Sequence, residues 1–184
     1  MTNSKSPAPP APVRFSKKTD GIDHINISPQ GLTDLGVLLA HFTESRFTHD
    51  YLGPFTSMEG FWYYVKAAIP DDKLRNLHGK SAYMYGKTLP SIRRRHFQEI
   101  IMDGNYFKIL QNEKLKELFI NSTLPLTQYY NFGPNAVPIN PKTMPWIVTD
   151  FEELRDIFKK GDEKEIVPYS EYLDVVTPRK VVKK

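Results

Sequence analysis

Residues 53–66 read GPFTSMEGFWYYVK, and the rest of the chain is organised around them. The stretch passes from a Gly-Pro turn into a helix. Ser57 is placed to cap the helix N-terminus with its hydroxyl, and Glu59 falls in the first turn, where the helix dipole favours a carboxylate. Phe61, Trp62, Tyr63 and Tyr64 follow as four consecutive aromatics. At about 3.6 residues per turn, four neighbours go all the way round, so one face cannot hold every ring and some must line a second surface. Lys66 lies seven residues after Glu59, on the same helical face. An acid and an amine flanked by rings suit a pocket wall. On spacing alone, a surface ion pair worth about 0.3–0.5 kcal/mol is the better-supported account. If the rings bury the pair, the chemistry changes. A carboxylate whose pKa rises on burial can act as acid or base, or stabilise a glycosyl cation, and a desolvated lysine can attack a sugar aldehyde.

Upstream, GIDHINI at 21–27 alternates as a short strand. Ser28-Pro29 reads as an N-cap followed by proline at the first position of a helix over 30–42, with Leu32, Leu35, Leu38 and Leu39 as its core stripe. Residues 43–55 read as a polar connection. Arg46 and His49 are phosphate or ribose candidates there, because loops that enter a helix N-terminus present free N–H groups; a solvated loop is the alternative. Residues 1–20 hold four prolines between positions 7 and 12 and little to bury. They read as an extended leader, or as a PxxP-type ligand.

Downstream, Pro70 ends the aromatic helix, and Asp71 caps a short helix at 73–77. Residues 79–87 (GKSAYMYGK) lack the GxxxxGK[ST] spacing of a phosphate loop, which excludes that class of nucleotide triphosphatase. Ser91 opens the longest helix, 92–110, with Ile92, Phe97, Ile100, Ile101, Phe107 and Leu110 inward and Gly104 weakening its middle. Arg93, Arg94 and Arg95 fall in its first turn, where the dipole disfavours each cation by roughly several tenths of a kcal/mol. A bound anion would offset that cost; a solvated basic patch is the alternative. Asn112 caps a helix over 113–121, and 126–130 is β-prone. Four prolines make 134–145 an irregular loop. Residues 146–148 suit a short strand. A capping box at 149–152 precedes a helix over 151–160 that stops at Gly161. The basic end, 177–184, reads as a fraying tail with weak nucleic-acid affinity at most.

Composition narrows the classes. The chain has 184 residues, 40% hydrophobic and 12% aromatic, which suits a globular domain. The absence of cysteine excludes disulfides, thiol catalysis and cysteine-held zinc, and agrees with a reducing cytosol. The five histidines are dispersed with no HExxH, and neither GxSxG nor GxGxxG occurs. A net charge of +4 permits a phosphate-bearing partner without requiring one. No run of about 18 apolar residues suggests a membrane span, and the N-terminus lacks the apolar core of a secretory signal.

Set against known families, the chain resembles the NADAR (YbiA-like) family. Phe55-Thr56-Ser57-Met58-Glu59-Gly60-Phe61-Trp62-Tyr63-Tyr64-Val65-Lys66 keeps serine, glutamate and lysine at the family's relative spacing. Residues 79–87, then 97–102, then Lys108-Ile109-Leu110-Gln111-Asn112 with Leu115, Phe119 and Ser122 match its later segments. The similarity covers 35–132. It departs at Gly60, where the family has histidine, and at Phe97 and Phe132, where it has tryptophan. The family's closing GxNxLGxxLM motif is not recognisable, and 146–158 stands in its place.

The resemblance implies an α+β, predominantly helical NADAR-like domain over 21–176, between a leader at 1–20 and a tail at 177–184. It implies N-glycosidase chemistry on a phosphorylated ribosyl compound: an ADP-ribosyl group on guanine, or an early riboflavin intermediate. Glu59 would be the acid/base or cation stabiliser, and Lys66 a Schiff-base nucleophile or electrostatic group. Ser57, Trp62, Tyr63, Phe97 and Lys108 would bind substrate, with Trp62 and Tyr63 flanking the base. Arg46 and one of Arg93, Arg94 and Arg95 are phosphate candidates on charge, not by family match. No cofactor and no metal are expected. Expected partners are an ADP-ribosyl or phosphoribosyl small molecule, single-stranded nucleic acid carrying it, or a host protein, and no membrane. The changed tryptophans keep two alternatives open: a non-catalytic ADP-ribose or nucleotide binder on the same fold, and a host-interaction protein. Small divergent proteins of this kind resemble phage-encoded accessory proteins, which would act in the host cytoplasm.

Overall fold

The structure, a computed structural model, describes residues 15–129 and 146–177. Helix α2 (Met58–Lys66) begins as its sequence dictates. Ser57 is extended at φ −155°, and its Oγ accepts the Gly60 N–H at 3.0 Å while donating to the Leu77 carbonyl at 2.8 Å. Met58, Phe61, Tyr64 and Val65 are buried on α2. The helix packs against α3 (Gly79–Gly86), against α4 (Phe97–Gln111) and against a 3-10 turn, Asp72–Asn76, capped by Asp71. Two glycines permit this approach. A Cβ on Gly104 would stand 2.6 Å from Phe61, and one on Gly86 would stand 2.1 Å from the Tyr63 ring. Gly104 therefore marks the crossing of α4 over α2, rather than a weak point in the helix.

The strands are short. β1 (Ile25–Asn26) pairs in parallel with β4 (Leu126–Thr127). β2 (Phe47–His49) and β3 (Gly53–Phe55) form an antiparallel hairpin, with Phe47 opposite Phe55 and their rings stacked at 6.0 Å. Residues 43–55 are thus not a plain connection. Phe47 and His49 face inward on either side of exposed Thr48, a period-two pattern too short to stand out among polar neighbours. Gly53, at φ +76°, makes the turn.

The expected helix over 30–42 shrinks to α1 (Asp34–Leu39), capped by Thr33. Asp20 is the cause. Its buried carboxylate accepts the N–H groups of Asn26 and Leu32, at 2.9 and 2.6 Å, and holds the intervening chain in a turn. Leu32, assigned to the core stripe, is 59% exposed.

Helix α4 likewise begins later than expected, so the three arginines precede it and no dipole argument applies to them. The chain before α4 is occupied by α2. Ser91 bridges Ala67, the Ile92 N–H donates to the Lys66 carbonyl at 3.1 Å, and buried Arg94 donates to the carbonyls of Val65, Ala67 and Asp174. These bonds satisfy carbonyls left over at the end of α2.

α5 (Glu113–Asn121) is capped by Asn112, as expected. Residues 146–148 are not a strand. They open α6 (Trp146–Lys160), because Ile147, Phe151, Leu154 and Phe158 make one continuous apolar stripe. The supposed capping box lies inside that helix, which ends at Gly161.

A further helix, α7 (Tyr169–Val176), was not foreseen. A buried network holds it. His49 Nε2 and the Tyr172 hydroxyl lie 2.9 Å apart, the hydroxyl donates to Asp103 at 2.5 Å, and Asp103 is ion-paired with Lys164. His49 is fully buried in this network, and burial pushes its pKa down to about 3.

Among the described residues no helix is long and apolar enough to cross a membrane. The prolines at 7–12, the turn at 133–135 with Phe132, and residues 178–184 lie outside the described residues.

Adding one methyl group at the α2–α4 crossing tests this packing. Gly104→Ala should destabilise by about 1–3 kcal/mol despite its better helix propensity, because buried Phe61 has nowhere to move. A urea midpoint equal to or above the wild-type value would show that the crossing has slack.

Candidate functional site

Glu59 lies in the first turn of α2 and is 8% exposed. Its backbone N–H donates to the His41 carbonyl at 2.9 Å, while its carboxyl forms no hydrogen bond or ion pair among the described residues. Burial pushes its pKa up to about 7, against the opposing pull of the Lys66 charge. The direct ion pair suggested by spacing does not form. Lys66 instead places its Nζ 5.8 Å from the centre of the Tyr63 ring.

Tyr63 and Lys66 line a cleft of about 220 Å³ together with Ala67, Gly86, Lys87, Leu89 and Ser91. Glu59 is not part of this lining. Its charge reaches Tyr63, whose hydroxyl is held at a pKa of about 12, first by burial and then by Glu59.

Trp62 points elsewhere. It stacks on Trp146 of α6 at 5.8 Å with planes 6° apart, meets Phe97 edge-on at 4.7 Å, and lies 5.9 Å from the His41 ring. The structure therefore brings Trp62 and Phe97 together, and Tyr63 and Lys66 together, as two separate sets. Consecutive helical residues diverge by about 100°, so Trp62 faces α4 and α6 while Tyr63 faces α3.

The remaining candidates are committed to other bonds. Ser57 is occupied as the cap. Lys108 is fully buried and donates to the carbonyls of Leu39 and Ala40, both at 3.2 Å, closing the end of α1; burial pulls its pKa down to about 7. Arg46 is exposed, 3.6 Å from Glu44. Arg93 and Arg95 are exposed, and Arg94 serves the backbone as described above. Gly60 explains one departure from the family motif. A Cβ there would lie 2.3 Å from the Leu74 carbonyl oxygen, so the family's histidine has no room.

Three polar groups outside the sequence-derived set stand out. His41 Nε2, both amide atoms of Asn105 and Asp150 Oδ2 are buried without a hydrogen-bond partner among the described residues. His41 is held neutral, its pKa pushed down to about 3 by burial and then by the Lys108 charge. Asp150 accepts from Gln98 at 3.0 Å, and burial lifts its pKa to about 6. Asn105 had a signal in the sequence: DGN interrupts the apolar residues of a helix that is buried from Ile100 to Ile109. His41 and Asp150 had none.

No family model matches the chain, and no curated protein does. Its fold resembles that of YbiA. The NMR structure of that Escherichia coli protein superposes with a TM-score of 0.54 over 82% of this chain and 98% of YbiA, at 14% identity. The likeness is one of fold. YbiA is matched over nearly its whole length.

Two predictions follow from the burial around α2. Folded Glu59 keeps its proton up to about pH 7, whereas its ordinary value is 4.5. The stability contributed by the neutral group is complete below about pH 4.5 and is lost as pH rises through 7. Glu59→Gln should therefore gain thermal stability relative to wild type across that interval and hold the gain above it. Melting midpoints that differ by the same amount at about pH 4 and about pH 8 would show an ordinary carboxylate. Separately, Gly60→His should cost at least about 1–3 kcal/mol, because the clash is with backbone; chemical denaturation measures it, and an unchanged midpoint would refute the steric account.

Proposed function

We propose that this chain is an N-glycosidase that cleaves the ribosyl–base bond of an ADP-ribosylated guanine or a related phosphoribosyl compound. The observation that carries the reading is Glu59, a carboxyl at a helix N-terminal turn, buried, free of any cation contact, and poised to hold or release a proton near pH 7. A general acid works best with its pKa near the working pH. In this reading the C1′–N bond breaks as the departing base takes the Glu59 proton. The resulting carboxylate stabilises the positive charge on the sugar and then accepts a proton from the water that adds to C1′. Lys66 and Lys87, both facing the cleft, supply positive charge for a phosphate. The YbiA-like fold supports the architecture, and the family resemblance supports the reaction class.

One observation favours a second reading, a binder without turnover: Glu59 is absent from the lining of the cleft that holds Lys66. That reading expects calorimetric heat with ADP-ribose and no product.

The deciding assay uses single-stranded DNA bearing ADP-ribosylated guanine. Wild type should release ADP-ribose, and Glu59→Gln should slow release by about 10²–10⁴-fold. The wild-type rate should fall as pH rises above about 7, where the acid is spent. No release by wild type, or equal release by Glu59→Gln, would sink the proposal.

A further inference from the structure

Glu59, Tyr63 and Lys66 occupy positions i, i+4 and i+7 of α2, so they stand one above another on one side of the helix. Helical side chains lean toward the N-terminus, which aims the lysine back at the acid. Lys66 stops short. Its Nζ rests 5.8 Å from the centre of the Tyr63 ring, the residue between, and it makes no ion pair with Glu59. The ring is fixed from outside α2. A Cβ on Gly86 would stand 2.1 Å from Tyr63 Cγ, 2.4 Å from Cδ1 and 2.5 Å from Cβ, so the ring lies directly on the backbone of α3. Tyr83 meets it edge-on at 6.2 Å. Charged groups on the other elements around α2 are held elsewhere. Lys87 donates to the Tyr83 hydroxyl at 3.2 Å, Arg75 of the 3-10 turn to Asp72 and Tyr64, and Lys108 of α4 to the carbonyls that close α1. Lys66 is the cation whose charge acts on Glu59.

We propose that Tyr63 is a positioning residue: pinned against α3, its ring stands between Lys66 and Glu59 and holds the ammonium in the cleft and off the carboxyl. The negative face of the ring attracts the ammonium, so Tyr63 gives Lys66 a partner that carries no net charge. A carboxyl in contact with an ammonium stays ionised and has no proton to give a departing base. Kept apart from it, Glu59 holds its proton up to about pH 7, while Lys66 lines the cleft. This role differs from the stacking on a base that the family resemblance implies. The benefit to catalysis rests on the proposed glycosidase reading; the separation of the two groups does not.

The test follows the carboxyl carbon of Glu59 by NMR against pH in the full chain, its signal assigned by loss in Glu59→Gln. Wild type and Tyr63→Phe should titrate alike, near pH 7, because a phenyl ring keeps both the spacer and the face that holds the ammonium. Tyr63→Ala should bring the midpoint down by about 1–3 pH units, the effect of an opposite charge in contact. Adding Lys66→Met to Tyr63→Ala should recover most of that fall. Lys66→Met alone keeps the ring and covers the case in which the alanine variants fail to fold. It should raise the midpoint by less than about one pH unit, because the charge it removes is already held at a distance. Three results would overturn the role: an unmoved midpoint in Tyr63→Ala; an equal fall in the double variant, which would show that the ring keeps out water rather than Lys66; or a rise of about 1–3 pH units in Lys66→Met, which would place the ammonium on the carboxyl in solution. Titration needs no turnover. A wild type that releases nothing from the modified DNA overturns the glycosidase reading alone. If release occurs, its upper pH limit should fall in Tyr63→Ala by the same interval as the titration. A titration that moves while that limit stays overturns Glu59 as the acid and leaves the spacer standing.

Discussion

Burial of α2 on several sides at once is the constraint on which the rest of the structure depends. Nine residues carry four rings in a row, and no single neighbour can cover them. The fold answers with α3 over Tyr63, α4 over Phe61, α6 over Trp62, and the β2–β3 hairpin and the 3-10 turn over Tyr64, through Phe55 and Arg75. Close approach is bought with glycine on the neighbouring helices and at Gly60 itself. Arg75 completes the enclosure, its guanidinium 4.4 Å from the centre of the Tyr64 ring and hydrogen-bonded to the Tyr64 hydroxyl at 2.7 Å. A helix so enclosed carries its first-turn carboxylate into the interior with it, and the character of Glu59 follows from packing rather than from any partner.

The same enclosure sets the electrostatics nearby. Glu59 and Lys108 are both desolvated, and both are moved toward about pH 7 from opposite ends of the scale. Burial disfavours the charged form of each, so the interior beside α2 resists charge of either sign. His41, between Lys108 and the tryptophans, is held neutral for the same reason. A site of this kind can pass a proton without first separating a strong ion pair. The lysines of the cleft, half-buried Lys66 and exposed Lys87, lie outside this interior.

Much of the local architecture was legible because it depends on side chains bonding to nearby backbone. Ser57, Asp71 and Asn112 cap as their positions imply, and Gly161 stops α6. What misled were partners distant in sequence. Asp20 reaches forward to reshape the entry to α1, and Arg94 reaches back to α2, so neither boundary follows from local periodicity. The β2–β3 hairpin was hidden by its brevity, and α6 by the three residues at its start that read equally well as a strand. Within the candidate site, Glu59 was legible from motif spacing. Its separation from Lys66 was not, because spacing gives a shared helical face but not what covers it. His41 and Asn105 meet only when the end of α1 is laid against α4, which no window of sequence contains.

Arg94 joins elements that are far apart along the chain. Its guanidinium spans the last carbonyls of α2 and the Asp174 carbonyl of α7, so the C-terminal helix is anchored to the buried centre rather than to the periphery. The Tyr172–Asp103 bond makes a second anchor on α4. Mechanically, a pull on α7 loads the innermost helices directly, through bonds to α2 and α4 rather than through an outer layer.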